Sequence, residues 1–206
     1  VAGLLGLVLG TVAATRAGSP WDLAVRLLAL LGVVLPSFWV GLMFIVVFSV
    51  KLGLLPSGGF SGWSDPSRAA RDLALPVLTL SLARTALLTR MVRGGLLETL
   101  SQPYTRTARA KGLSEARVVV RHALKNALIP VVTVLGLEFA QLLTAGVVVE
   151  SVFALPGLGQ LALTAIEARD YPLVQGIVLV LAAFIVTLNL AVDLLYAVLD
   201  PRVSYT

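Results

Sequence analysis

Between Arg26 and Lys51 the chain runs for 24 residues without a charge. A helix needs about 20 mostly apolar residues to cross the hydrocarbon core of a bilayer. One such run therefore already sets lipid as the solvent for this part of the chain. Four further stretches repeat the pattern. Residues 1–15 are uncharged but short, 73–92 hold only Arg84 and Arg90, 126–149 hold only Glu138, and 172–199 hold only Asp193. With 27–50, these five spans predict an all-α polytopic membrane protein, a helical bundle forming one transmembrane domain over 1–206. Pro36, Pro76 and Pro130 fall in or at these runs. They are compatible with helices there, because neighbouring groups can satisfy the freed backbone.

Composition excludes the alternatives. Apolar residues make up 58% of the 206 and charged ones 13%, against roughly 25% charge in a soluble domain, and mean hydropathy is +0.95. A water-soluble globule is excluded. Sixteen Lys and Arg against eleven acids leave a net charge of +5, but the cations lie between apolar runs, which speaks for membrane topology rather than nucleic acid. Cysteine is absent, so disulfides and thiolate chemistry have no support. The chain opens on Val1 inside an apolar run, and we expect it to start mid-protein.

Lys and Arg accumulate in cytoplasmic loops. The first and third connections and the C-terminal tail carry ten cations, the other two connections four. Residues 93–125 and the C-terminus are thus expected in the cytoplasm, and residues 51–72 and 150–170 outside.

Seven of the sixteen cations lie between Arg93 and Lys125. A connection of 33 residues is long for a helix-to-helix link, so structure of its own is expected. Ser101 with Pro103 reads as a helix start, Tyr104 to Lys111 as the helix and Gly112 as its stop. Ser114 then caps a second helix from Glu115 toward Leu128. At 100° per residue, Ala116, Val119, Val120, Ala123, Leu124 and Ala127 fall on one face. Glu115, Arg117, Arg121, His122, Lys125 and Asn126 fall on the other, with Val118 as the misfit. An interfacial helix on anionic headgroups and a docking surface for a cytoplasmic protein both fit, and periodicity leaves both open.

The run from Tyr104 to Pro130 resembles the cytoplasmic EAA loop of permease subunits in binding-protein-dependent ABC importers, in particular the dipeptide, oligopeptide and nickel branch. The similarity continues through Val147–Gly159, Arg169–Pro172 and Asp193–Arg202. Arg106, Thr107 and Ala108 stand where the family pattern has Glu-Ala-Ala, and only Ala108, Gly112 and Leu124 fit strictly. Permeases of this branch commonly have six spans, so the resemblance implies that the first span and the outer domain after it are missing here.

The resemblance implies a division of labour. The permease forms half of a translocation pathway for a peptide-like substrate delivered by an extracytoplasmic solute-binding protein. A second homologous permease completes the pathway as a heterodimer in the cell membrane, and two cytoplasmic ABC ATPase subunits drive it. Coupling to the ATPases is assigned to Tyr104, Arg106, Thr107, Ala108, Arg109, Lys111, Gly112, Leu113, Ser114 and Arg117. The residues agree on one point independently. No G-x-x-x-x-G-K-[ST] loop exists, since Lys51, Lys111 and Lys125 do not follow glycine, so ATP hydrolysis is not expected in this chain. Nickel chelates or glutathione remain alternative substrates, and an ion-gradient-driven secondary transporter is the alternative mechanism.

Ionisable groups at mid-span usually face a protein interior or a water-filled cavity. Arg84 and Glu138 are expected either to pair across spans or to place Arg84 on the pathway. Asn189 and Asp193, one turn apart, and Tyr196 make a polar strip that suits an inter-helix hydrogen bond or a translocation role. His122 is the only histidine, and no metal, cofactor or catalytic residue is expected. An intramembrane enzyme lacks its motifs here: paired aspartates, H-E-x-x-H, or a serine with a histidine. On the outer side, Pro56–Trp63 and Pro156–Gly159 read as turns, and the resemblance makes them candidate parts of an outer gate.

Overall fold

The computed structural model describes the backbone of residues 1–199 and the side chains in that range except those of 129, 132, 133, 135–137, 139, 140, 143, 144 and 192–199. Among the described residues every regular element is helical. In chain order these are α1 (Ala2–Thr15), α2 (Pro20–Val34), α3 (Ser37–Phe44, running on through a π-helical stretch, Ile45–Lys51) and α4 (Pro66–Ser101). Then come α5 (Pro103–Ala110), α6 (Glu115–Arg117), a second π-helical stretch (Val118–Ala123), α7 (Leu124–Ala127), α8 (Ile129–Val152), α9 (Leu158–Glu167) and α10 (Tyr171–Leu199).

The three prolines behave differently. Pro76 lies inside the 36-residue α4 and Pro130 is the second residue of α8, where its missing N–H is one that an α-helix leaves unbonded anyway. Pro36 instead divides the apolar run 27–50. Leu35 is extended (φ −73°, ψ 128°), as the clash with a following proline ring favours, and α2 ends at Val34 while α3 begins at Ser37. The expected single helix is two.

The chain divides into two compact units, Val1–Pro36 with Ser81–Val134 and Ser37–Leu80 with Leu135 onward. In the first, α1 is packed through its smallest residues. Gly6, Gly10, Ala13 and Ala14 are buried, and a Cβ on Gly10 would lie 2.7 Å from the Cβ of Val92 in α4. Small residues spaced by four let helix backbones approach closely where lipid supplies no hydrophobic drive between helices. On α2, Gly32 faces Ala86 of α4 in the same manner. The start of α2 is capped by Ser19, whose Oγ accepts the Asp22 N–H at 3.3 Å, with Pro20 pre-set for the first helical position.

In the second unit, Leu75, Val149 and Phe153 form the buried core, with Phe44, Ile45, Phe48, Leu55, Leu80, Val152 and Leu155 against it. The Phe153 ring lies over Gly41. The segment between α3 and α4 is pinned to this core, since the Gly59 N–H donates to the Phe153 carbonyl at 2.8 Å and the Ser61 N–H to the Asp72 carboxylate at 2.8 Å. Along α10, Val178, Leu179, Phe184, Val186 and Leu190 are all exposed. An apolar outer surface of this extent is stable against lipid, not against water.

Candidate functional site

The segment after α4 is built as two short helices around one glycine. Helix α4 runs on to Ser101, so residues 93–101 are part of it rather than of a loop. Ser101 does not start the next helix: its Oγ donates to the Glu98 carbonyl at 2.7 Å, and Gln102 is the residue before α5. Buried Thr105 joins the two elements, its hydroxyl bonded to the carbonyls of Leu100 (3.0 Å) and Gln102 (2.7 Å). Helix α5 ends where the sequence places its stop. The Gly112 N–H donates to the Arg109 carbonyl at 2.9 Å and the Leu113 N–H to the Ala108 carbonyl at 3.3 Å, the paired bonds of a Schellman motif, with Gly112 at φ +80°.

Two side-chain links close the second helix onto the first. Arg109 donates to Glu115 through Nε (2.6 Å to Oε1) and Nη2 (3.2 Å to Oε2), which holds the Glu115 carboxyl below its usual range and raises the Arg109 guanidinium. Asn126 Nδ2 donates to the Tyr104 hydroxyl at 2.9 Å. Ser114 occupies the expected N-cap position but makes no capping hydrogen bond.

The buried face of the second helix differs from the one that a 100° periodicity gives. Val118, Val119, Ala123 and Ala127 are buried, whereas Ala116 and Val120 are exposed. The cause is the π-helical stretch Val118–Ala123. Its i→i+5 bonding underwinds the helix, so Val118 and Ala123, five apart, come to the same side and Val120 turns outward.

Of the ten residues assigned to coupling, Arg106, Thr107, Arg109, Lys111, Gly112, Ser114 and Arg117 are exposed and Tyr104 is 41% exposed. Ala108 is buried and Leu113 half-buried. The position that fits the family triplet, Ala108, is thus a packing position, and the two that depart from it, Arg106 and Thr107, are on the surface. Elsewhere, Glu138 is buried on α8 and Arg84 half-buried on α4, in different units. Asn189 is exposed on α10. The side chains of Asp193 and Tyr196 and the ending 200–202 lie outside the described residues.

Two carboxylates that the sequence reading passed over are central. Asp22, 1% exposed, takes both prongs of Arg93 (Nε at 2.7 Å, Nη2 at 2.9 Å) and the Gly18 N–H at 3.0 Å, with Arg26 at 3.5 Å. The Arg93 fork, then the Gly18 N–H, bring its carboxyl down to about 2. The spacing Ser19-Pro20-Trp21-Asp22 was the available signal, a capping box with a short acid. Arg93, counted in the sequence as loop charge, is committed to this pair. The second is Glu150 in the last turn of α8. Its Oε2 accepts the N–H groups of Gly159 (2.8 Å) and Gln160 (3.0 Å) in the first turn of α9. The glycines at 157 and 159 were the signal.

With this architecture, the profile of the family described as binding-protein-dependent transport system inner membrane component matches residues 6–205. The chain belongs to that family. A putative peptide transport system permease protein of Brucella suis is 47% identical over 202 residues, covering 98% of this chain and 64% of the relative. The dipeptide transport system permease protein DppB of Haemophilus influenzae is 44% identical over 221 residues, covering 97% and 66%. The oligopeptide permease OppB of the same organism is 40% identical over 202 residues, covering 98% and 64%. The chain therefore spans about 64% of the length of such curated relatives. Among solved structures, an inward-facing MetNI methionine ABC transporter matches with a TM-score of 0.71 at 20% identity, covering 97% of this chain and 89% of that one. At that identity the likeness concerns the fold. Family and apolar helices together make this an integral membrane protein.

Proposed function

We propose that this chain is the permease subunit of an ATP-driven importer in the cytoplasmic membrane. It forms half of the pathway for a peptide-like substrate handed over by an extracytoplasmic binding protein. The observation that carries this reading is the α5–Gly112–α7 element in a chain of this family: a short helix with an exposed basic face, fixed at its end by a Schellman turn and the Arg109–Glu115 fork. Such an element suits docking into a groove of a separate subunit, because a rigid lever transmits displacement and a frayed one absorbs it. Two ATPase subunits supply the hydrolysis, and the chain itself is not an enzyme. A second, homologous permease supplies the other half of the pathway. Residues 102–128 and the C-terminus then lie in the cytoplasm, and the 52–65 connection and α9 lie outside, where they form the outer mouth. The names of the Brucella and Haemophilus relatives support a peptide-like substrate.

Residue roles follow from exposure. Tyr104, Arg106, Thr107, Lys111, Ser114 and Arg117 contact the ATPase, and Ala108, Arg109, Leu113 and Gly112 shape the helix that carries them. Arg84 and Glu138 are read as polar groups of the membrane interior with a structural or a pathway role, and Asn189 with Asp193 holds a neighbouring helix.

The test is reconstitution of the full-length permease pair with its ATPases and binding protein in proteoliposomes, offered labelled di- and oligopeptides. Uptake that requires both ATP and the binding protein is the expected result. Uptake driven by an ion gradient without ATP refutes the reading, and ATP-dependent uptake of a nickel chelate with exclusion of peptides refutes the substrate class.

A further inference from the structure

The geometry points to Glu150 as the positioning residue that fastens α9 to the end of α8, so that the segment before the last long helix moves with α8 during the transport cycle. This rests on the importer reading above. Helix α9 begins after Gly157, which has no side chain with which to cap it, and its first-turn N–H groups need an acceptor from elsewhere. Glu150 provides it across nine residues of sequence, one carboxylate oxygen accepting from Gly159 and Gln160. A carboxylate at the positive end of a helix, bonded to two backbone donors, is a charge-assisted link.

Everything around the carboxylate is shaped to leave room for it. A Cβ on Gly157 would collide with the carboxylate itself, and one on Gly159 would lie 2.7 Å from Val147 and 2.8 Å from Glu150 Oε2. Gly157 has φ −118°, a value open to any residue, so its requirement is space and not conformation. The Pro156–Gly159 string is therefore more than a turn. The Glu150 backbone serves the same reversal, since its carbonyl accepts the Leu155 N–H at 2.9 Å while Ala154 adopts φ +48°. Phe153 seats this turn in the core. Leu158, Leu161, Leu163 and Ile166 of α9 are exposed while Gly159 and Ala165 are buried, so the carboxylate link and the close approach of Gly159 to Val147 together fix the start of α9.

The experiment uses the complete importer in lipid, with two readouts. Amide exchange at Gly159 and Gln160 reports the link itself. In Glu150→Ala it rises at least tenfold, and in Glu150→Gln, whose amide oxygen still accepts both N–H groups, it stays near wild type. Uptake and ATP hydrolysis report its use. Glu150→Ala lowers uptake at least tenfold while binding-protein-stimulated hydrolysis persists, so substrate moved per ATP falls, and Gln restores it. Gly157→Ala, which evicts the carboxylate, gives the same phenotype, and combining it with Glu150→Ala adds nothing. Wild-type uptake per ATP in Glu150→Ala overturns the inference, as does a Gln variant no better than Ala, or additive defects in the double variant. A wild-type complex that does not import refutes the importer reading instead, and amide exchange still tests the link.

Discussion

Replacing Gly112 by valine puts a β-branched side chain on a backbone held at φ +80°. No atom lies within 4 Å of where the Cβ would stand, so the cost comes from the backbone and not from a clash. An L-residue in the left-handed region costs about 1–2 kcal/mol. Leaving that region instead breaks the two bonds of the Schellman turn, each contributing about 0.5–1.5 kcal/mol net. The variant takes the cheaper of the two ways out, so the local penalty is about 1–2 kcal/mol, well below the 5–15 kcal/mol that holds a typical domain together, and the permease folds and inserts. At about 1.4 kcal/mol per tenfold, the same penalty shifts the α5 terminus away from its native geometry by roughly tenfold in population. Binding-protein-stimulated ATP hydrolysis and uptake in proteoliposomes should both fall roughly tenfold in Gly112→Val, and likewise in Gly112→Asp, which adds a charge to a basic face. Gly112→Asn should retain most activity, because asparagine visits left-handed dihedrals readily, and Gly112→Ala should lie between. Wild-type coupling in the valine variant, or an asparagine variant as defective as valine, would refute the reasoning.

Asp22 gives the pH prediction. Its carboxyl titrates at about 2 in the folded chain against an ordinary 3.8. A depressed folded value means that the Arg93 link contributes fully above about pH 4 and is lost as pH falls toward 2. Thermal unfolding in detergent should therefore show wild type more stable than Asp22→Asn at pH 6, with the gap shrinking between pH 4 and 2.5; a gap independent of pH contradicts the assignment. Gly10→Leu should lift α1 from α4 and cost about 1–3 kcal/mol by overpacking, while Gly3→Leu, with nothing within 4 Å of its Cβ position, should be silent in the same melt. For Arg84 and Glu138, the pairing reading is tested by a double-mutant cycle on thermal stability of the assembled complex, where a pair gives a coupling energy of about 0.5–3 kcal/mol; zero coupling removes the pair.

Legibility in the sequence follows the range of the interactions. The Gly112 stop was readable because a helix end with φ above zero selects for glycine within a few residues. The exposed polar face Arg117–Arg121–Lys125 was readable because charge avoids burial wherever the helix turns. The buried face of the same helix was misassigned at Ala116, Val118 and Val120, because a π-helical stretch is stabilised by what packs against it, which no local period records. Ser101 fell on the wrong side of a helix boundary because α4 is prolonged by the bond from Thr105 to the Leu100 carbonyl.

By itself the sequence determined the solvent, the helical class and the helix stop at Gly112. These depend on summed hydrophobicity, charge position and single special dihedrals, all of which are properties of short windows. Only the tertiary structure decided that Pro36 splits an apolar run while Pro76 does not. It alone gave Arg93 to Asp22, 71 residues away, and made the Pro156–Gly159 string the seat of the Glu150 carboxylate. Each of those turns on which donor meets which acceptor once distant segments are packed, and buried polar groups away from water accept only partners that the fold brings to them.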